Sequence, residues 1–278
     1  MKNFDCYICE KQMSVDTEYT FKCKTCNFFR SSLTEGFGRE IEGIDKIREI
    51  NSRKIINNII DLKMDKNFSI LEIGSGNGTF VKLCEDQEIN ITGSEADHDQ
   101  YINLKNKYKN ILKVSLPFNE EETNVFKKYD IIIFNDVFEH LKDLNIVLIQ
   151  LKKILNKDGY LIINIPSTDG LFFKISRLLY KIGFKSFHNR LWQKGLNSPH
   201  ISFFNKNNLS QLLRKFSYEL LFTQRVNFFD RTEIYKRIYS TYKNKFLCIF
   251  LTTLLITFSF IQKIFPADSF FQIYKNLK

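Results

Sequence analysis

Residues 68–86, FSILEIGSGNGTFVKLCED, constrain the fold of this chain more than any other stretch. Ser69–Ile73 is a short apolar run of the kind that becomes a buried parallel strand. Gly74, Gly76 and Gly78 come next, followed by an apolar-periodic helix. Strand, glycine turn and helix N-terminus, in that order, make a nucleotide-binding crevice. The spacing is Gly-x-Gly-x-Gly, not the Gly-x-Gly-x-x-Gly of dinucleotide enzymes. Glu72, at the strand end, would repel a pyrophosphate and favour the ammonium group of an amino acid. About twenty residues on, INITGSEAD reads as a second strand ending at Glu95, an acid placed to accept hydrogen bonds from both hydroxyls of a ribose.

With these residues the chain resembles the class I S-adenosylmethionine-dependent methyltransferases, over roughly residues 40–230. LEIGSGNG is similar to their first motif and Glu95 to their ribose acid. YDIIIFNDVFEHL resembles the fourth strand and the start of the helix after it, and LKKILNKDGYLIINIPS the next helix, glycine turn and fifth strand. The resemblance implies an α/β fold with a Rossmann-like seven-stranded sheet. It implies S-adenosylmethionine as cofactor, with Glu72, Gly74, Gly76, Gly78, Glu95, Asn135 and Asp136 around it. The third strand, NILKVSLPF, carries Ser115 where many members have an Asp near the adenine, so that contact falls to Ser115 or to backbone. A non-catalytic Rossmann-like binding module is the alternative from another class. The intact set Glu72, Gly74, Gly76 and Glu95 argues against it.

The stretch NDVFEHL, residues 135–141, places Asp136, Glu139 and His140 at i, i+3 and i+4, one face if the segment is helical. It follows a strand whose carboxyl end borders the ligand crevice. Three readings are open: Asp136 caps a helix, with Glu139 and His140 fixing loops; His140 is a general base for an acceptor hydroxyl; or the acids and histidine hold a divalent ion such as Mg²⁺. An acid-x-x-Glu-His pattern is shared by polyprenyl-catechol O-methyltransferases and small-RNA 2′-O-methyltransferases. In the RNA enzymes a downstream histidine completes the site, a part that His200 in SPHISFF would take. Asp136 is one methylene shorter than the Glu of that pattern. The segment SPHISFFNKNNLSQLLRKFSYELLF also resembles bacterial methyltransferases of surface-glycan and lipid pathways. That likeness implies an acceptor-covering loop with Trp192, Pro199 and His200, and a glycan or lipid-linked acceptor.

Cys6-Tyr-Ile-Cys9 and Cys23-Lys-Thr-Cys26 are two CxxC pairs that can curl four thiolates around one structural zinc. Asn27 follows the second pair where glycine is usual and tolerates the left-handed backbone a knuckle needs. Cys84 and Cys248 stand apart and read as apolar fillers. No apolar signal segment opens the chain, so cytoplasmic residence is expected, and six cysteines there are not read as disulfides.

Charge is unevenly placed. Residues 170–278 hold 18 Lys and Arg against 4 Asp and Glu, while the whole chain nets +10. A basic C-terminal third suits an anionic partner. Nucleic acid is disfavoured, since no basic-aromatic signature accompanies the charge. Lys174, Arg177, Lys181 and Lys185 make one stripe of an amphipathic helix that can lie on an anionic membrane surface. FLCIFLTTLLITFSFIQ, residues 246–262, is uncharged for seventeen residues, at the lower limit of a span, and could equally insert shallowly or mediate an oligomer contact. The expected organisation is a zinc-binding knuckle over 1–35, a methyltransferase domain over 40–232, and a basic, hydrophobic C-terminal helical tail over 233–278. The expected activity is methyl transfer to an oxygen of a glycan or lipid-linked intermediate at the inner face of the cytoplasmic membrane. Its rivals are a quinone-precursor or RNA 2′-O-methyltransferase using a divalent metal.

Overall fold

The computed structural model describes residues 4–36, 42–63, 67–119 and 126–277. The cysteine-bearing N-terminus is too short for a core of its own. It forms three short antiparallel strands, β1 (Ser14–Val15), β2 (Thr20–Lys22) and β3 (Phe29–Ser31). Then come α1 (Asp45–Lys63), β4 (Ser69–Ile73), α2 (Thr79–Glu85), β5 (Asn90–Glu95), α3 (His98–Lys105), β6 (Ile111–Lys113) and β7 (Tyr129–Asn135). A 3₁₀ turn at Phe138–His140 leads to α4 (Leu144–Ile154), β8 (Leu155–Pro166), α5 (Leu171–Lys181), α6 (Ser186–Leu191), β9 (Ser202–Phe203) and α7 (Lys206–Lys215). The chain closes with β10 (Tyr218–Val226), α8 (Ile234–Tyr242), α9 (Lys245–Ile261) and β11 (Ser269–Asn276).

Seven strands form one sheet in the order β10-β11-β8-β7-β4-β5-β6. The five from β6 to β8 are parallel, and β11 runs antiparallel to both its neighbours. Strand alternation sends side chains to two cores. Ile131 and Ile133 face α1 and α2, meeting Ile55, Ile56, Ile59, Phe80 and Val81. Ile132 and Phe134 face the other way, meeting Leu148 and Leu151 of α4 and Leu212 of α7. Strands buried on both faces are why these runs carry few polar residues.

The expected boundary at residue 232 is corrected. The sheet is not finished there, because β11 inserts between β8 and β10, pairing seven residues with β8 from Ser269↔Pro166 to Lys275↔Tyr160. Its Phe270, Phe271, Ile273 and Tyr274 are fully buried. The apolar helix α9 is therefore an excursion between two sheet strands and not a terminal tail. Among the described residues no helix is long and apolar enough to cross a membrane. The N-terminal strands are no separate bead either: β3 pairs with β9, making a small sheet β1-β2-β3-β9 that joins the knuckle to the segment carrying His200.

Candidate active site

The carboxyl ends of β4, β5 and β7 lie side by side at one edge of the sheet, where parallel sheets of this kind receive ligands. Gly74 and Gly76 adopt left-handed backbone, φ 73° and 53°. A Cβ on Gly74 would lie 2.7 Å from Val137 Cγ2, so the loop closes against the β7 exit only with glycine there. A Cβ on Gly76 would meet nothing within 4 Å and would project into open space. Its N–H donates to Glu95 Oε2 at 2.8 Å, while Glu95 Oε1 accepts from the Ala96 and Asp97 amides. The acid at the end of β5 is thus held beside the glycine loop.

Glu72 is 2% exposed. Its Oε1 accepts from Asn135 Nδ2 at 2.9 Å, but Oε2 finds no partner of hydrogen-bonding geometry, and neither does Asn135 Oδ1. Burial pushes the carboxyl up to about 7, with Asn135 and Ser75 offsetting part of the effect. Two orphaned acceptors under a glycine loop fit a ligand that brings N–H donors and positive charge. The ammonium of S-adenosylmethionine is such a group, so these residues fit that cofactor.

The trio of NDVFEHL is arranged otherwise than on one helical face. Asp136 has φ 53°, and only 138–140 coil, as a single 3₁₀ turn. Left-handed backbone at Asp136 breaks the helical register, and neither this turn nor α4 has a side-chain cap, so of the three readings the one in which Asp136 caps a helix does not hold. Glu139, His140 and His200 do come together, with ligand atoms within 4.8 Å of one another. The two imidazole rings lie 4.7 Å apart, and His200 Nε2 is 4.0 Å from Glu139 Oε1. His140 Nδ1 bonds the Pro199 carbonyl at 3.0 Å, which makes Nδ1 the protonated nitrogen and leaves Nε2 with its lone pair. Burial pushes this imidazole down to about 4. It also drives His200 well below, and Glu139 well above, the usual range. Both oxygens of Glu139 are buried without a hydrogen bond.

Asp136 itself faces open solvent. Protein atoms crowd it enough to raise its carboxyl, against the pull of Arg48 and Arg237. Water still reaches the group, so its side chain is not part of the core. These two arginines, and Arg190 beside them, carry no motif, and spacing along the chain does not reveal them.

The knuckle brings its four thiols together: Cys6 Sγ lies 3.4 Å from Cys26 Sγ and Cys9 Sγ 3.3 Å from Cys23 Sγ, and all four sulfurs lie within 4.8 Å. A tetrahedral zinc with bonds of about 2.3 Å sets sulfurs about 3.8 Å apart. The two CxxC turns are copies of each other. The Glu10 and Asn27 amides donate to the Cys6 and Cys23 carbonyls, the Cys6 and Cys23 amides to the Lys11 and Phe28 carbonyls. Glu10 and Asn27 are both left-handed. Cys84 and Cys248 are each fully buried among apolar side chains.

The family model described as "Methyltransferase domain" matches residues 41–222. The chain belongs to this family and is an S-adenosylmethionine-dependent methyltransferase. A search of the curated proteins finds no significant match. Among solved structures, the plantazolicin methyltransferase BpumL, in complex with a monoazolic desmethyl analogue and S-adenosylhomocysteine, is 15% identical with a TM-score of 0.52, covering 84% of this chain and 86% of its own. Magnesium protoporphyrin IX methyltransferase from Synechocystis PCC 6803, with bound S-adenosylhomocysteine, is 14% identical with a TM-score of 0.50, covering 87% and 90%. A methyltransferase from Methanosarcina mazei is 15% identical with a TM-score of 0.50, covering 79% and 97%. At these identities the likeness is one of fold.

Proposed function

We propose that the methyl acceptor is an oxygen of a glycan or lipid-linked intermediate, and that His140 takes its proton. The observation that carries this reading is His140: Nδ1 is tied to the Pro199 carbonyl, so the neutral ring keeps its lone pair on Nε2. A hydroxyl must lose a proton as it attacks a methyl group, and a neutral imidazole within reach can receive it. A ring pushed down to about 4 is in its base form at neutral pH, though a weaker base than free imidazole. Pro199 belongs to the loop between α6 and β9, so the acceptor cover also sets the tautomer of the base. Methyl-transfer assays with full-length protein test this. His140→Ala should lower turnover by about 10²–10⁴-fold with cofactor affinity nearly unchanged; undiminished turnover would remove His140 from the chemistry.

A structural zinc in the four-cysteine knuckle is part of the proposal, supported by the sulfur spacing and the twin turns. So is attachment to the cytoplasmic face of a membrane. Its support is the exposed apolar face of α9, where Phe246 is 87% and Phe250 65% exposed, and of the α5 end, where Leu178, Ile182 and Phe184 face solvent. The basic stripe contributes less than its spacing suggests: Arg177 is paired with Asp16 and Lys185 with Glu18 of the knuckle, leaving Lys174 and Lys181.

A second reading, a quinone-precursor or RNA methyltransferase with a divalent ion, rests on the unpartnered Glu139 oxygens beside two imidazoles. One carboxylate and two ring nitrogens suit zinc, manganese or iron, whereas Mg²⁺ wants oxygens throughout. The donor set does not fit the magnesium expected for it.

A further inference from the structure

Three arginines gather around Asp136, just past the carboxyl end of β7. Arg48 stands in the first turns of α1, Arg190 near the end of α6, and Arg237 in α8. Their elements are tied together. The α1 start touches the glycine loop through Asn77 Nδ2 and Asp45 Oδ1 at 3.0 Å. It touches the entry to α8 through the Lys46 amide and Glu233 Oε2 at 3.0 Å. Gly43, just before α1, lies so close to Arg237 that a Cβ there would sit 2.8 Å from its backbone nitrogen. Arg190 Nη2 donates to the Arg237 carbonyl at 3.1 Å, and Arg237 Nη1 to the Phe228 carbonyl at 2.8 Å. Each of these two guanidiniums has five N–H donors and, among the described residues, spends one.

Among the described residues no carboxylate lies within ion-pair distance of any of the three. Asp136 is the acid that feels Arg48 and Arg237, and Arg237 in turn feels Arg190. Burial disfavours charge on neighbouring Glu139. The cofactor does not absorb the excess. Its ammonium is answered by Glu72, and its single carboxylate needs one arginine, for which Arg48 is best placed beside the glycine loop. The sulfonium adds another positive charge. Arg190 and Arg237, on elements that come after β8, remain for the acceptor.

We infer that Arg190 and Arg237 form a subsite for a phosphate or diphosphate group on the methyl acceptor. Two guanidiniums offering several N–H groups from different elements match a multiply charged oxyanion with oxygens in several directions. This inference rests on the proposed methyl-transfer reading and adds the charge of the acceptor to it. The same chemistry is presented by a soluble sugar nucleotide and by a lipid-borne diphosphate.

The test is calorimetry on the full chain in two stages. S-adenosylhomocysteine is titrated first; failure there sinks the cofactor reading, whatever the acceptor. Inorganic pyrophosphate is then titrated into the loaded protein. Saturable binding is expected, weakened by salt and weakened about 10- to 100-fold by Arg190→Gln or Arg237→Gln, with S-adenosylhomocysteine affinity retained. Absence of pyrophosphate binding to the wild-type protein overturns the inference. So does unchanged pyrophosphate binding in either variant, or a loss of S-adenosylhomocysteine affinity equal to that for pyrophosphate in variants with wild-type melting temperature. Should a Gln variant unfold, Arg237→Lys keeps the charge and loses the fork. It should bind pyrophosphate less tightly than wild type, and equal binding overturns the subsite. Uridine diphosphate in solution and vesicles carrying a polyprenyl diphosphate then separate the two sources: the tighter ligand names its own.

Discussion

Glu72 shows how one buried carboxyl can set a cofactor's pH dependence. Folding raises its proton affinity to about 7, above the unfolded value of about 4.3. Between those two values the folded chain holds a proton that the unfolded chain has released. Its contribution to the stability of the ligand-free protein is therefore fully present below the lower value and lost as pH rises through the upper one. Cofactor binding runs oppositely, because an ammonium pairs with the ionised form. Affinity for S-adenosylmethionine should rise from pH 6 to pH 8, and the same titration of Glu72→Gln should be flat and weaker throughout. A slope that survives in the variant would assign the proton to another group. Glu95 acts by geometry. Three backbone amides already hold its carboxylate in place, so Glu95→Ala should cost about 1–3 kcal/mol of cofactor affinity through lost ribose hydrogen bonds, measurable by calorimetry.

Between elements, the contact of most consequence joins the knuckle to the acceptor loop. The Ser31 amide donates to the Ile201 carbonyl at 2.8 Å, and the Ile201 amide to the Glu139 carbonyl at 2.8 Å. Ser31 Oγ donates to the His200 carbonyl at 2.7 Å, and Asn208 Nδ2 to the Cys26 carbonyl at 3.2 Å. These bonds run in series from the cysteine cluster to the histidine pair. Ions that order short segments supply their folding free energy, so loss of the four-sulfur site should loosen β9 as well as β1–β3. Protein purified without chelator should hold close to one zinc per chain. Cys6→Ser with Cys9→Ser should remove it, lower the melting temperature and speed amide exchange at 201–204. Full metal content in that variant would place the ligands elsewhere.

Over the molecule as a whole, β11 changes how attachment to a membrane is tested. Removing everything after residue 240 would take a central strand from the sheet and expose Phe270, Phe271, Ile273 and Tyr274, each wholly buried. Such a protein should not fold, and its partitioning would say nothing of lipid. Phe246→Asp with Phe250→Asp leaves the sheet intact and charges the exposed face of α9. It should shift the protein from the membrane pellet to the supernatant without altering its melting temperature by more than a few degrees. Wild-type protein already in the supernatant at low salt would refute the attachment.

The parts legible in the chain are those set by neighbours in sequence. Glycine spacing, the apolar run Ser69–Ile73 and the paired CxxC turns depend on residues at most a few positions apart, and the structure forms a left-handed glycine loop, a buried strand and two matching turns there. The eight residues of β11 are not legible, because which strand fills the gap beside β8 depends on which edge retains unpaired N–H and C=O groups after the others have paired. Asp136 has the spacing of a helical face, but its left-handed backbone turns it away. The arginine trio is legible least of all. Arg48, Arg190 and Arg237 belong to no motif, and only the meeting of α1, α6 and α8 near Asp136 places their charges together, because electrostatic energy depends on distance in space and not on separation along the chain.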